Sequence, residues 1–225
     1  MRRRDYLSMS GPNGSSPSTR HPERLIADAR NGATEHLGPL LDSYGNYLRL
    51  LATTQIDEKL RVKVSPSDLV QETMLGAYRD FGQFRGCTER ELLAWLRQIL
   101  INRLHVFVQR HVLAQKRDLH RELSLDEIGA AVNRSTANLQ AAILADHCPS
   151  PSNSVIRREN AVLLADHLAK MSPHYREVIL LRNLQGLSLD EIALQMSRTK
   201  GAVRMLWLRA IKQLRETMES AADAE

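Results

Sequence analysis

Arg97, Arg103, Arg110, Lys116, Arg117 and Arg121 follow one another along a helical stretch in which Asp118 is the only acid. A second run, Lys200, Arg204, Arg209, Lys212 and Arg215, meets no acid before Glu216. The chemistry open to such runs is ionic. Cationic groups on a helix with a packed apolar face bind phosphates, release counterions and make affinity salt-sensitive. A merely solvated helix face usually mixes both signs. His105, His111 and His120 lie within the first run, but their spacing fits no metal cluster and no carboxylates accompany them. They read as surface polar groups or phosphate contacts. There is no Ser/His/Asp spacing, phosphate-cradling glycine loop or metal constellation. The expectation is a non-enzymatic binding protein with no cofactor and no metal.

The elements that must carry these runs are helices. Leu, Ala and Arg dominate, 4% of residues are aromatic and long β-branched runs are missing. That composition favours helix over sheet. With 43% hydrophobic residues the chain can bury a core, and its net charge of +5 suits polyanions or acidic membranes. From Glu35 to Gln55 apolar residues recur at helical spacing, at Leu37, Leu40, Leu41, Tyr44, Leu48 and Leu51. Ser65-Pro66-Ser67-Asp68 opens a second helix with a cap, a first-turn proline and an acid suited to the positive helix end. Its inward stripe is Val70, Met74, Ala77 and Phe81. A third helix runs from Glu89 to about Leu119, with Leu92, Leu96, Ile99, Leu100, Leu104 and Phe107 inward. CPSPSNS marks a break before a second helical unit. The fold expected is all-α: two helical domains joined by a linker, the second containing a helix-turn-helix. The boundaries are a disordered basic tail over 1–34, a first domain over 35–121, a linker over 122–154, a second domain over 155–219 and a short tail over 220–225. Cys87 and Cys148 make no disulfide framework or zinc spacing, and no apolar run reaches the roughly 18 residues of a membrane span. A cytoplasmic protein without membrane contact is expected.

On the helix starting at Pro66 the outward face carries Asp68, Gln71, Glu72, Leu75 and Arg79. Acids near a helix start offset the dipole; the stranded Leu75 suggests instead a basic, partly apolar partner. The loop Phe84–Glu91 (FRGCTERE) has glycine and polar groups suited to gripping a displaced base. Asn102 interrupts an apolar face, either as a buried hydrogen-bonded amide or as a base or backbone contact. LSLDEI occurs twice, at Leu123–Ile128 and Leu187–Ile192. In both, Ser and a Glu three residues on form a capping box, so the repeat has a local reason. Only the second copy leads through a turn at Ser197-Arg198 into a basic amphipathic helix. That is a helix-turn-helix, whose second helix enters the major groove N-terminus first. Thr199, Lys200 and Arg204 could reach base edges; Arg209 and Lys212 suit phosphates.

Four segments together, SDLVQETMLGAYRDF, ELLAWLRQILINRL, SPSNSVIRRE and MSPHYREVILLRNLQGLSLDEIALQMSRTKGAVRMLWLRAIKQL, resemble the extracytoplasmic-function (ECF) sigma factors of bacterial RNA polymerase. The likeness extends from about Glu35 to Glu219. It implies that Asp68, Leu69, Gln71, Glu72, Leu75 and Arg79 meet the β′ clamp helices of core polymerase. It implies that Phe84, Arg85, Gly86, Asn102, Arg103, Arg110, His111, Lys116 and Arg117 open and read the minus-10 promoter element. It assigns Arg198, Thr199, Lys200, Arg204, Arg209 and Lys212 to the minus-35 element. The partners implied are core polymerase, including its β flap, promoter DNA and an anti-sigma factor. Where the family usually has a turn glycine, this chain has Ser197. The rival reading is a conventional helix-turn-helix regulator that does not bind core polymerase.

Overall fold

The computed structural model describes residues 22–55, 65–113, 129–134, 137 and 156–222, and among these all regular structure is helical. Helix α1 (Pro22–Arg30) buries Ile26 and Ala29. Residues 22–30, expected to belong to a disordered tail over 1–34, are therefore helical. The apolar side of α1 is one turn long, too short to stand out as periodicity beside Gly- and Ser-rich sequence. The helix expected over Glu35–Gln55 is two, α2 (Leu37–Asp42) and α3 (Gly45–Gln55). Ser43 Oγ donates to the Leu40 carbonyl at the break, a local bond that competes with helix continuation. Apolar spacing runs on across it, with Tyr44, Tyr47, Leu48 and Leu51 all buried, so periodicity alone does not reveal the turn.

Helix α4 (Pro66–Asp80) starts as its sequence dictates: Ser65 Oγ accepts from the Ser67 amide, with proline in the first turn. Its packed side holds Leu69, Val70, Thr73, Gly76 and Ala77. The Thr73 hydroxyl donates to the Leu69 carbonyl, which satisfies it inside the core. Helix α5 (Glu89–Leu113) buries Leu92, Leu93, Leu96, Leu100, Ile101, Leu104 and Val108 against α4 and α3. The helices approach closely at Gly76, where a β-carbon would lie 3.1 Å from the Arg103 guanidinium and 3.4 Å from Ile99.

Within the expected linker, residues 129–134 are helical and Val132 is fully buried. Helix α6 (Ile156–Lys170) follows, then α7 (Pro173–Ile179), a π-turn over Leu180–Leu184, α8 (Leu189–Gln195) and α9 (Lys200–Ala222). Arg176 clamps the end of α6: its guanidinium donates to the carbonyls of Leu168, Ala169 and Met171. Gly186, at φ +74°, closes the π-turn as a residue without a β-carbon can. Helix α6 rests on α3 as well as on α9, so the two helical groups touch.

Candidate functional site

The outer side of α4 is a ridge. Asp68, Gln71, Glu72, Leu75 and Arg79 are exposed, Leu75 at 71%. Asp68 and Glu72 make no ion pair among the described residues. Arg79 donates twice to Asp80, at 2.9 and 3.1 Å, and this contact holds the Asp80 carboxyl below its usual range. Leu69 departs from its expected role: it is buried and belongs to the core, because it sits on the opposite side of α4 from Leu75. Tyr78, half-exposed one turn after Leu75, extends the apolar part of the ridge and was not anticipated. Its i, i+3 spacing from Leu75 is the signal that could have found it.

The loop between α4 and α5 is held from several sides. Phe84 is only 5% exposed, its ring centroid 5.7 Å from Phe81 and 5.1 Å from Trp95. It cannot offer its face to a base in this arrangement; it anchors the loop. Gly86 is required by the same packing, since a β-carbon there would stand 2.4 Å from the Phe84 ring and 2.7 Å from Glu91 Cβ. Glu91 accepts from the amides of Cys87 and Thr88 and from the Thr88 hydroxyl, and Thr88 Oγ1 accepts from the Glu91 amide. These bonds to the charged carboxylate hold its pKa at about 2. Thr-x-x-Glu before an apolar run is a capping box legible in TERE. Arg30 Nη1 reaches the Gly86 carbonyl at 3.2 Å, and the buried Tyr44 donates to Glu89 at 3.0 Å. What the loop offers to a ligand is the exposed Arg85.

On α5, Asn102 is exposed and accepts from Gln98, so the buried-amide alternative falls away. Arg103 is half-buried beside α4 and Arg110 is exposed. Arg97 is partly committed, donating to the Tyr47 hydroxyl. Lys116, Arg117, Arg121, the side chain of His111 and the first LSLDEI copy lie outside the described residues.

At the second LSLDEI the capping box is complete: Ser188 Oγ accepts from the Glu191 amide and the Glu191 carboxylate from the Ser188 amide. After α8 the chain turns at Ser197, at φ +51°, the single non-glycine left-handed residue among those described. Thr199 Oγ1 then accepts from the Ala202 amide and caps α9. Val203, Ala210 and Leu214 face the core, and Trp207 donates to Asn183 in the π-turn at 3.0 Å. Arg198, Lys200, Arg204, Arg209 and Lys212 are exposed around the N-terminal half of α9. Lys200 pairs with Asp190 of α8 at 2.8 Å and Lys212 with Glu216 at 3.7 Å, while Arg204 and Arg209 make no ion pair among the described residues. Asp190 is thus a neighbour that composition did not flag. Met205 and Leu208 add exposed apolar surface between the cations. No group of residues suited to holding a metal occurs among those described, and no helix there is long and apolar enough to cross a membrane.

Comparison with known proteins agrees with this geometry. Residues 162–214, which hold most of α6, α7, the π-turn, α8, the turn and about the first two thirds of α9, match the family described as Sigma-70, region 4. The ECF RNA polymerase sigma factor BldN of Streptomyces coelicolor is 30% identical over 205 residues, 90% of this chain and 67% of BldN. The ECF RNA polymerase sigma-E factor of Haemophilus influenzae is 24% identical over 88% of this chain and 95% of its own length. A solved RsbN–BldN complex aligns at 24% identity over 85% of this chain and 98% of that one, with a TM-score of 0.28. The breadth of the BldN match, together with the region 4 helix-turn-helix, makes this chain a member of the ECF RNA polymerase sigma factor family.

Proposed function

We propose that the α4 ridge docks this sigma factor on core RNA polymerase and that two cationic surfaces then direct the assembly to a promoter. Leu75 and Tyr78 supply the apolar contact, and Asp68 and Glu72, without an ion pair among the described residues, supply charge for a basic partner. Arg85, Asn102 and Arg110, with Lys116 and Arg117 beyond them in sequence, serve the minus-10 element. The loop anchored by Phe84, Gly86 and Glu91 keeps its shape while a displaced base is gripped. Arg204 sits at the groove-reading end of α9, with Arg209 and Lys212 set back toward phosphates. Strand opening draws on binding energy, without catalysis by this chain. A protein partner, as RsbN is for BldN in their solved complex, belongs to the same proposal.

The observation that carries the reading is the coexistence of an acidic–apolar ridge on one helix with a capped, cationic helix-turn-helix elsewhere in the same chain. A regulator that worked alone would have no use for the first. Run-off transcription with purified core polymerase is the test. The wild-type chain should confer promoter-dependent initiation. Asp68→Lys with Glu72→Lys should abolish co-purification with core while leaving the helical circular dichroism unchanged. Retained co-purification would refute the docking role of α4.

A further inference from the structure

One acid stands among the cations at the head of α9. Asp190 lies in the first turn of α8 and Lys200 in the first turn of α9. Asp190 Oδ2 accepts from Lys200 Nζ at 2.8 Å, ten positions on and across the turn at Ser197. Both side chains are exposed. The frame behind them is fixed. Ile192 of α8 and Val203 of α9 are fully buried, and the two helices pack on each other. The Arg198 amide donates to the Ala193 carbonyl at 2.9 Å and closes the turn. Ser188 and Glu191 complete the capping box of α8, so the start of that helix is satisfied without the Asp190 side chain.

A carboxylate on a DNA-facing surface repels phosphates, so Asp190 is not placed for plain affinity. A cation in the first turn of a helix opposes the dipole, so Lys200 is not placed for the stability of α9. An exposed ion pair between them contributes little to stability either. What the pair supplies is direction. A free lysine is a point charge on a flexible stem and settles on whichever phosphate is near. Held by Asp190, the ammonium keeps two of its three N–H donors, and its partly neutralised charge pulls less toward the backbone. In the major groove guanine offers two acceptors side by side, O6 and N7. Adenine pairs its single acceptor with a donor, and thymine has O4 beside a methyl group. Two fixed donors match guanine. Arg198 and Arg204, by contrast, make no ion pair among the described residues.

We propose that Asp190 is a specificity-positioning residue: it aims the Lys200 ammonium at a guanine of the upstream promoter element and withdraws it from the phosphates. The proposal rests on the reading of α9 as the minus-35 reader given above. Preference for guanine at one position then belongs to the pair, Lys200 making the contact and Asp190 setting its direction.

The test combines the full chain with core polymerase and transcribes a pool of promoters whose upstream element is randomised, the transcribed templates being read by sequencing. The wild-type chain should enrich guanine at one position by about fivefold or more. Asp190→Asn, close in size but uncharged, should flatten that position and leave the preferences at the others in place. Lys200→Ala should flatten the same position, and the double variant should flatten it no further. Asp190→Glu, which keeps the carboxylate, should retain the preference. Binding of the Asp190→Asn holoenzyme to a single promoter duplex should also become more salt-sensitive, its slope of log affinity against log salt steepening by about 1 as Lys200 moves to a phosphate. Intact guanine enrichment in Asp190→Asn, an unchanged salt slope, or different positions flattened by Asp190→Asn and Lys200→Ala would each overturn the positioning role. So would a loss spread evenly over all positions, which is what an acid serving only the fold would give. A wild-type pool without any upstream enrichment would instead remove the minus-35 reading itself, and this role with it.

Discussion

Ser197 shows how one residue can set the geometry of a reading head. The turn between α8 and α9 needs a left-handed backbone, and Ser197 supplies it at φ +51°. A side chain in that region costs roughly 1 kcal/mol that glycine avoids. Ser197→Gly is therefore expected to raise stability by about 0.5–1 kcal/mol without moving α9, seen as a higher urea midpoint with unchanged slope. Glu91 gives a residue-scale dependence on pH. Its carboxyl is held near 2 in the folded loop, below the ordinary 4.5, by amide and hydroxyl donors. The stability it contributes is complete above pH 4.5 and drains away as pH falls toward 2. The gap between wild type and Glu91→Ala in urea midpoint should thus be widest near neutrality and narrow steadily below pH 4.5. A gap independent of pH would refute this. Ser197 was visible as a departure from glycine, and TERE carries the Thr88 donors to Glu91, whereas the Cys87 amide joins them only in the folded loop.

Among the elements, those announced by caps were the most legible. Ser65-Pro66 placed the start of α4 and Ser188 with Glu191 that of α8. Such signals act within one turn of chain, so a sequence carries them whole. Where the fold depended on distant partners the sequence was silent. It placed Leu75 outward, where it is, but the resemblance also gave the buried Leu69 to the polymerase face, because apolar residues lie on two sides of that helix. It merged α2 with α3, since burial by neighbouring helices keeps the periodicity going through the turn. It gave Phe84 to DNA, whereas Phe81 and Trp95 claim its ring. The junction of α6 and α7 depends on Arg176, whose three carbonyl contacts answer the unsatisfied acceptors at the end of α6. Hydrogen bonds from a charged donor contribute about 1.5–3 kcal/mol. Arg176→Ala should lower unfolding stability by that order and weaken duplex binding indirectly. If thermal unfolding of the variant matched the wild type, the clamp would not matter.

For the molecule entire, the distribution of charge matters more than its net value of +5. Acids gather on the α4 ridge while α9 presents Arg204 and Arg209 without described ion-pair partners. Each phosphate neutralised contributes about −0.9 to the slope of log affinity against log salt. Arg209→Ala should lower the magnitude of that slope by about 1 on native and scrambled upstream sequence alike. Arg204→Ala should instead erase most of the preference for the native sequence. A titration of both variants across salt separates them, and identical behaviour would contradict the division of roles along α9. The two tryptophans fall one in each half of the chain. Trp95 stacks beside Phe84 under the loop, and Trp207, on α9, is tethered to Asn183. Ultraviolet emission from Trp207→Phe thus monitors the downstream contact and emission from Trp95→Phe the upstream one, so the order in which a promoter is engaged can be timed without attaching a dye.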